Sequence, residues 1–285
     1  MARLKTYLGP KTQIQPADLA KYEAAGIYVA EEKHDGHWAE VTTGADGKIC
    51  RITGRSGTVF SGVNVEGLVG LYIGLVNTTL IGELEAATEA ANRRNSTMGH
   101  RRLWIFDLVR LHDQDTTSLV YEKRRELLET IFAKILHNSK RVRLVRQVTS
   151  GFGMLFDNVS KDDGEGLVLK KLGRPYRPHG SDGKTDDWIR CKRYRYVDYV
   201  VTDIGKSEGG SPNFQVGLYI DGRLLRVGTI KNIPDGLDYA SLVGKVIECK
   251  GAEVHDSGAL RHGHFHRARP DKDNIECTLE AAIRS

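Results

Sequence analysis

The sequence has no apolar run approaching the roughly 18 residues that a membrane-spanning helix needs. Its first ten residues carry no apolar stretch of signal-peptide length either. The expectation is a soluble cytoplasmic protein, or one of the host cytoplasm if the gene is viral, with no membrane partner. Cysteine is scarce: Cys50, Cys191, Cys249 and Cys277 are the four, and none stands at Cys-x-x-Cys spacing. That argues against a disulfide framework and a zinc-finger pattern. Internal repeats and low-complexity segments are missing too. A dominant charge is also lacking, since 42 basic residues face 37 acidic ones. Residues 1–193 hold 30 Lys/Arg against 24 Asp/Glu, whereas residues 194–285 hold 12 against 13. The basic excess includes local clusters at Arg93, Arg94, Arg101 and Arg102, and at Arg141, Arg143 and Arg146. Each cluster fits a solvated surface as well as a polyanion contact.

A chain of 285 residues exceeds the usual single domain of about 100–200 residues, so two domains are expected. Pro16 to Ala25 reads as a short helix closed by Gly26. Ile27 to Lys33 is strand-like, and His37 to Thr43 pairs with Lys48 to Thr53 across an Asp-Gly turn. Val63 to Val76 is predicted helical. Thr79 to Ala86 and Leu103 to Leu111 read as buried strands. Leu119 to Leu136 is the clearest helix, with Leu127, Leu128, Ile131, Phe132 and Ile135 on one face. A strand at Val142 to Val148, a helix at Gly151 to Val159, and strands at Gly166 to Leu172 and Trp188 to Lys192 complete the first part. After Arg193 short strands separated by turn signals dominate, suggesting a small β-barrel. The boundary is placed between residues 193 and 194.

Chemistry enters at Glu31-Glu32-Lys33-His34-Asp35-Gly36. On an extended chain Glu31, Lys33 and Asp35 share a face. Alone, Lys-x-Asp-Gly fits an ordinary surface turn. The rest of the series gives it weight. Ile81-Gly82-Glu83-Leu84 sets a carboxylate in an apolar strand, and Trp104-Ile105-Phe106-Asp107-Leu108 joins an aromatic to a carboxylate. Glu165 follows a glycine turn, with Lys170 five residues on, and Arg190 and Lys192 share a strand face. Carboxylates at strand ends suit Mg²⁺, and paired cations suit a phosphate.

In this order and spacing the five segments resemble the nucleotidyltransferase motifs of ATP-dependent DNA ligases, over nearly the whole chain. The resemblance implies an α+β fold: an ATP-grasp-like adenylation domain over 1–193, then an all-β OB-fold over 194–285. It makes Lys33 the residue that takes AMP and puts Glu31 near the adenine amino group. Asp35 falls near the ribose and the 3′ hydroxyl of a nick, and Arg55 near the nucleotide and nick phosphate. Glu83 and Glu165 become metal ligands, Phe106 stacks on adenine, and Lys170 is counted with the nucleotide-binding residues. Arg190 and Lys192 match the basic pair on the α-phosphate, and Arg269 and Lys272 those that orient pyrophosphate. ATP and Mg²⁺, with Mn²⁺ as a substitute, are the implied cofactors. Nicked duplex DNA is the implied partner, gripped in part by Arg55, Arg93, Arg94, Arg101 and Arg102. A monomer without an obligate protein partner is expected.

Three departures stand out. Trp38 occupies the position, five residues after the lysine, where the family usually has arginine. Arg190 replaces the first lysine of the basic pair, keeping charge but not shape. Only about 30 residues precede Lys33, so no separate amino-terminal DNA-binding domain is expected. The competing readings are an RNA ligase or an mRNA capping guanylyltransferase and, from a different class, a non-catalytic module that binds nicked DNA. A zinc site at His255, His262, His264 and His266 lacks acidic or cysteine partners.

Overall fold

The computed structural model describes residues 8–62, 65–85, 102–136, 139–162, 164–177, 183–207, 209–231 and 233–285. The chain divides into two compact units, Met1–Lys192 and Arg193–Ser285.

Among its described residues the first unit holds eleven strands: β1 (Gly9–Ile14), β2 (Tyr28–Lys33), β3 (His37–Thr43), β4 (Ile49–Gly54), β5 (Thr79–Glu85), β6 (Arg102–Leu111), β7 (Gln114–Asp115), β8 (Val142–Leu144), β9 (Gln147–Val148), β10 (Gly166–Lys171) and β11 (Lys184–Lys192). One sheet runs β1-β11-β10-β2-β9, and the other β4-β3-β5-β6-β7 with β8 beside β6. Alternation along the strands decides which side chains meet. In β2, β10 and β11, Ala30, Leu167, Leu169, Ile189 and Cys191 pack behind the sheet against Phe152, Leu155 and Phe156 of helix Phe152–Lys161. Their neighbours in sequence, Glu31, Lys33, Val168, Lys170, Arg190 and Lys192, face the other way, into a cleft. Behind the second sheet, Leu103, Ile105 and Leu108 pack on Leu128, Ile131 and Phe132 of the segment that begins with helix Tyr121–Ile131. Leu8, Ile81, Val109, Tyr176 and Trp188 form a further apolar cluster that joins the two sheets.

Local chemistry sets the helix ends. Pro16 opens a single turn that leads into helix Leu19–Ala24, and Gly26 ends it at φ +66°. Helix Phe152–Lys161 is capped from a distance: the Glu23 carboxylate accepts from the amides of Gly151 and Phe152 at 2.7 and 2.9 Å. A carboxylate at a helix amino terminus meets unpaired N–H groups and the positive end of the dipole.

Three expectations need correction. Residues 65–76 form turns rather than a helix. Several glycines there adopt positive φ, among them Gly67, Gly70 and Gly74, and these override the apolar spacing. The helix expected over Leu119–Leu136 starts at Tyr121 and rewinds as a π-turn over Phe132–Leu136, leaving Ile135 46% exposed. Val142–Val148 is two strands, because β8 joins β6 in one sheet while β9 joins β2 in the other.

The second unit is a five-stranded antiparallel sheet of order β14-β13-β12-β15-β18, from β12 (Arg195–Lys206), β13 (Pro212–Ile220), β14 (Arg223–Ile230), β15 (Val246–Gly251) and β18 (His264–Ala268). A bridge from Lys231 to His264 brings its edges together, so the sheet curls around Tyr199, Phe214, Leu218 and Ile247. The short pair β16 (Glu253–Val254) and β17 (Leu260–Arg261) and helix Leu279–Arg284 complete it. His262 sits in a turn at φ +52°, leaving only His264 and His266 on a common strand. Among the described residues no cluster suits a metal by count of His, Cys, Asp and Glu.

Candidate active site

A cleft of about 940 Å³ lies between the two sheets of the first unit. Glu31, Lys33, Arg55, Glu83, Phe106, Lys170, Arg190 and Lys192 all line it. Strand register explains much of this convergence. β10 pairs with β2 and β11, setting Lys33, Gly166 and Lys192 in one row. Glu31, Val168 and Arg190 form the next row, and Val29, Lys170 and Trp188 the third. Glycine in the middle of the first row leaves the two lysines without a side chain between them. Both reach Glu165, the residue before it: Lys33 Nζ to Oε2 at 2.5 Å and Lys192 Nζ to Oε1 at 2.7 Å. Burial works to raise the Glu165 pKa, but the two ammonium groups outweigh it and hold this carboxyl below its ordinary value.

Glu31 is enclosed. It is 2% exposed and accepts from Lys170 at 2.7 Å, from Arg125 at 3.4 Å, and from the Tyr121 hydroxyl. Gln147 donates to it at 3.5 Å. Lys170 also donates to the Phe106 carbonyl at 2.8 Å and lies over the Trp188 and Phe106 rings, 4.5 and 4.9 Å from their centroids. Burial lowers the Lys170 pKa against the pull of Glu31. Burial and the neighbouring Glu31 raise that of Tyr121 well above its usual value.

Across the cleft, Glu83 stands between Trp38 and Trp104 in the ladder of the second sheet. Burial pushes its carboxyl up to about 8 against the attraction of Lys33, with Glu165 and Asp35 adding to the rise. His34 stacks on Trp104 with ring centres 3.9 Å apart and planes 9° apart. Burial and the adjacent Lys33 ammonium bring its imidazole down to about 4, so it is neutral near pH 7. The turn after Lys33 requires Gly36: a Cβ there would lie 2.3 Å from the Leu84 carbonyl oxygen.

Other expected residues fall elsewhere. Asp35 is exposed in the turn, because β2 stops at Lys33 and the shared strand face ends with it. Asp107 is no candidate metal ligand: it is buried in a two-pronged contact with Arg124, at 2.6 and 3.0 Å. Arg102 is exposed at the start of β6, opposite Glu85. Arg93, Arg94 and Arg101 lie outside the described residues. In the second unit, Arg269 and Lys272 both contact Asp198, at 3.1 and 2.7 Å. The sequence reading missed Tyr121, Arg125 and Gln147. They come from a helix and a separate strand, and no spacing relative to Glu31 reveals them.

Residues 76–192 match the ATP dependent DNA ligase domain. A curated protein of Dictyoglomus thermophilum, a "probable DNA ligase", is 28% identical over 127 residues, 42% of this chain. The match spans only 21% of that relative's length. Among solved structures, the ligase domain of LigD from M. tuberculosis is 20% identical with a TM-score of 0.55, over 97% of this chain and 99% of that one. A Lig E DNA ligase gives 18% identity and a TM-score of 0.58, over 86% and 93%. These matches agree with the motif order and with the charged side chains gathered around Lys33: residues 76–192 are similar to the ATP dependent DNA ligase domain, and the fold is similar to that of solved DNA ligases.

Proposed function

We propose that the chain seals nicks in duplex DNA, using ATP and a lysyl-adenylate on Lys33. The single observation that carries this reading is the Lys33 amine at the cleft wall, 2.5 Å from Glu165 and among Lys192, Arg190 and Glu83. In the first step the Lys33 ammonium gives one proton to solvent, and the resulting free amine attacks the α-phosphorus of ATP. A P–N bond forms, the bond to pyrophosphate breaks, and the amine loses its proton. Glu165 Oε2 is the nearest base for that proton. Lys192 and Arg190 offset charge growing on the phosphoryl oxygens. AMP then passes from Lys33 to a 5′-phosphate as the P–N bond breaks. The 3′ hydroxyl finally attacks that phosphate and AMP leaves.

The nucleoside half of the cleft supports adenosine. Phe106 and Trp188 supply aromatic surface, and Glu31 offers a buried acceptor. Asp35 and Arg55, at the turn and the rim, are assigned to the ribose and the nick. The donor set also fits a divalent cation. Mg²⁺ keeps several waters and needs only one or two protein carboxylates besides phosphate oxygens. Glu83, half-buried with no lysine bonded to it, and Glu165 would hold it. The ion would add charge neutralisation at the phosphates. The first unit is read as an ATP-grasp-like nucleotidyltransferase domain. The second is read as an OB-fold, supported by its closed five-strand order, and carries Arg269 and Lys272 for the pyrophosphate side. Its partner is nicked duplex DNA, bound largely through phosphates and so weakened by salt.

Incubation with α-labelled ATP and Mg²⁺ should label the chain, and Lys33→Ala should abolish the label. Nicked duplex added to labelled protein should release AMP and yield joined strands. A label from GTP in preference to ATP, or none from either, would overturn the reading.

A further inference from the structure

β2 ends at Lys33, whose last ladder partner is Gly166. The next strand, β3, starts at His37 in the other sheet. The nucleophile therefore sits where the chain leaves one wall of the cleft for the other. Two contacts fix that passage. Gly36 lies against the Leu84 backbone, and the His34 ring lies flat on Trp104 of β6. The His34 ring nitrogen Nε2 is buried without a hydrogen-bond partner, and the Glu32 carboxylate is 3.8 Å from it. Stacking, rather than a hydrogen bond at Nε2, thus holds the ring. We propose that the His34–Trp104 stack is a positioning device that sets the Lys33 amine against the opposite wall of the cleft, where Glu83 stands. The proposal rests on the lysyl-adenylate reading above.

Aromatic pairs in this geometry hold orientation beyond their burial, and misplacing a reacting atom by about 1 Å can slow a reaction about 100-fold. His34 touches neither the phosphorus nor the leaving group in this scheme. Its loss should therefore slow chemistry while leaving ATP binding intact.

The test is single-turnover adenylation of the full chain with α-labelled ATP, alongside equilibrium ATP binding. His34→Leu, which keeps volume without a ring, and His34→Ala should each slow the step about 10- to 100-fold, with the ATP Kd held within about twofold. His34→Phe should restore the rate to within about threefold, since the stack is kept. Trp104→Leu should match His34→Leu, and the double variant should be no slower than either single one. A wild-type rate in His34→Leu overturns the proposal. So does His34→Phe as slow as His34→Leu, or single effects that multiply in the double variant. A wild-type chain that never takes label removes the underlying reading and this proposal with it. A labelled wild type with unaffected His34 variants removes the proposal alone.

Discussion

Arg124 and Arg267 make nearly the same contact in different surroundings. Arg124 reaches Asp107 through Nε at 2.6 Å and through a terminal nitrogen at 3.0 Å. Arg267 reaches Glu248 in the same two-pronged way at 2.8 and 3.2 Å. The first pair, behind the cleft, is 1% and 0% exposed, whereas Arg267 is 59% exposed. Matching geometry does not mean matching worth. In water an ion pair replaces solvation that was already good, so little is gained. In the interior each charge has lost its solvation and depends on its partner. The first unit is full of such dependence, at Glu31, Lys170 and Asp107. The ion pairs around Glu248 and Asp198 in the second unit stay closer to solvent.

That contrast can be broken most sharply at Arg124. Arg124→Met leaves the Asp107 carboxylate buried without its cation and should cost about 3–5 kcal/mol in urea unfolding. Replacing both residues, with Asp107→Leu added, should recover much of the loss; no recovery would mean the pair does more than cancel charge.

The next effect belongs to Glu83, which has no cation bonded to it and so titrates near neutrality. Its folded-state value of about 8 lies above the ordinary 4.5. Between those limits the folded chain keeps a proton the unfolded chain has lost. This group's contribution is complete below 4.5 and disappears as pH rises to 8. His34 has the opposite sign. Its folded value of about 4 lies below 6.5, so its contribution is complete above 6.5 and is lost as pH falls to 4. From pH 6.5 to 8 only Glu83 of the two is active. The urea midpoint should drop across that window, and Glu83→Gln should flatten the drop. A flat wild-type profile would contradict the buried setting assigned to Glu83.

Smaller again is Tyr121→Phe, which removes one of four donors to Glu31. About 1 kcal/mol is expected, because Lys170, Arg125 and Gln147 remain. The smallest effect is Arg267→Ala. It should leave the urea midpoint within scatter at moderate salt, and a clear loss there would erase the difference between the two settings.

Parts of both fold and site were legible in the sequence. β2, β3 and β4, with the Asp46-Gly47 turn, fall where alternation and turn residues place them. Lys33, Glu165, Arg190 and Lys192 could be named from the order and spacing of several short motifs, and alternation along β11 explains why Arg190 and Lys192 share a face. The segment at 65–76 misled, since apolar spacing there looked helical while the backbone took successive turns. The break between β8 and β9 was hidden because both pieces have strand composition and differ only in the sheet they join. The shared strand face expected for Asp35 failed for a simpler reason: the strand rule was carried two residues past the end of β2.

By itself, then, the sequence determined the motif order, the strand faces and the change of character near residue 193, since each depends on residues close together in the chain. Only the tertiary structure decided that Tyr121, Arg125 and Gln147 surround Glu31, that His34 stacks on Trp104, and that Asp107 belongs to Arg124. Those partners lie 17 to 116 residues apart. Loss of solvation, which makes such partners obligatory, exists only after the chain has closed around them.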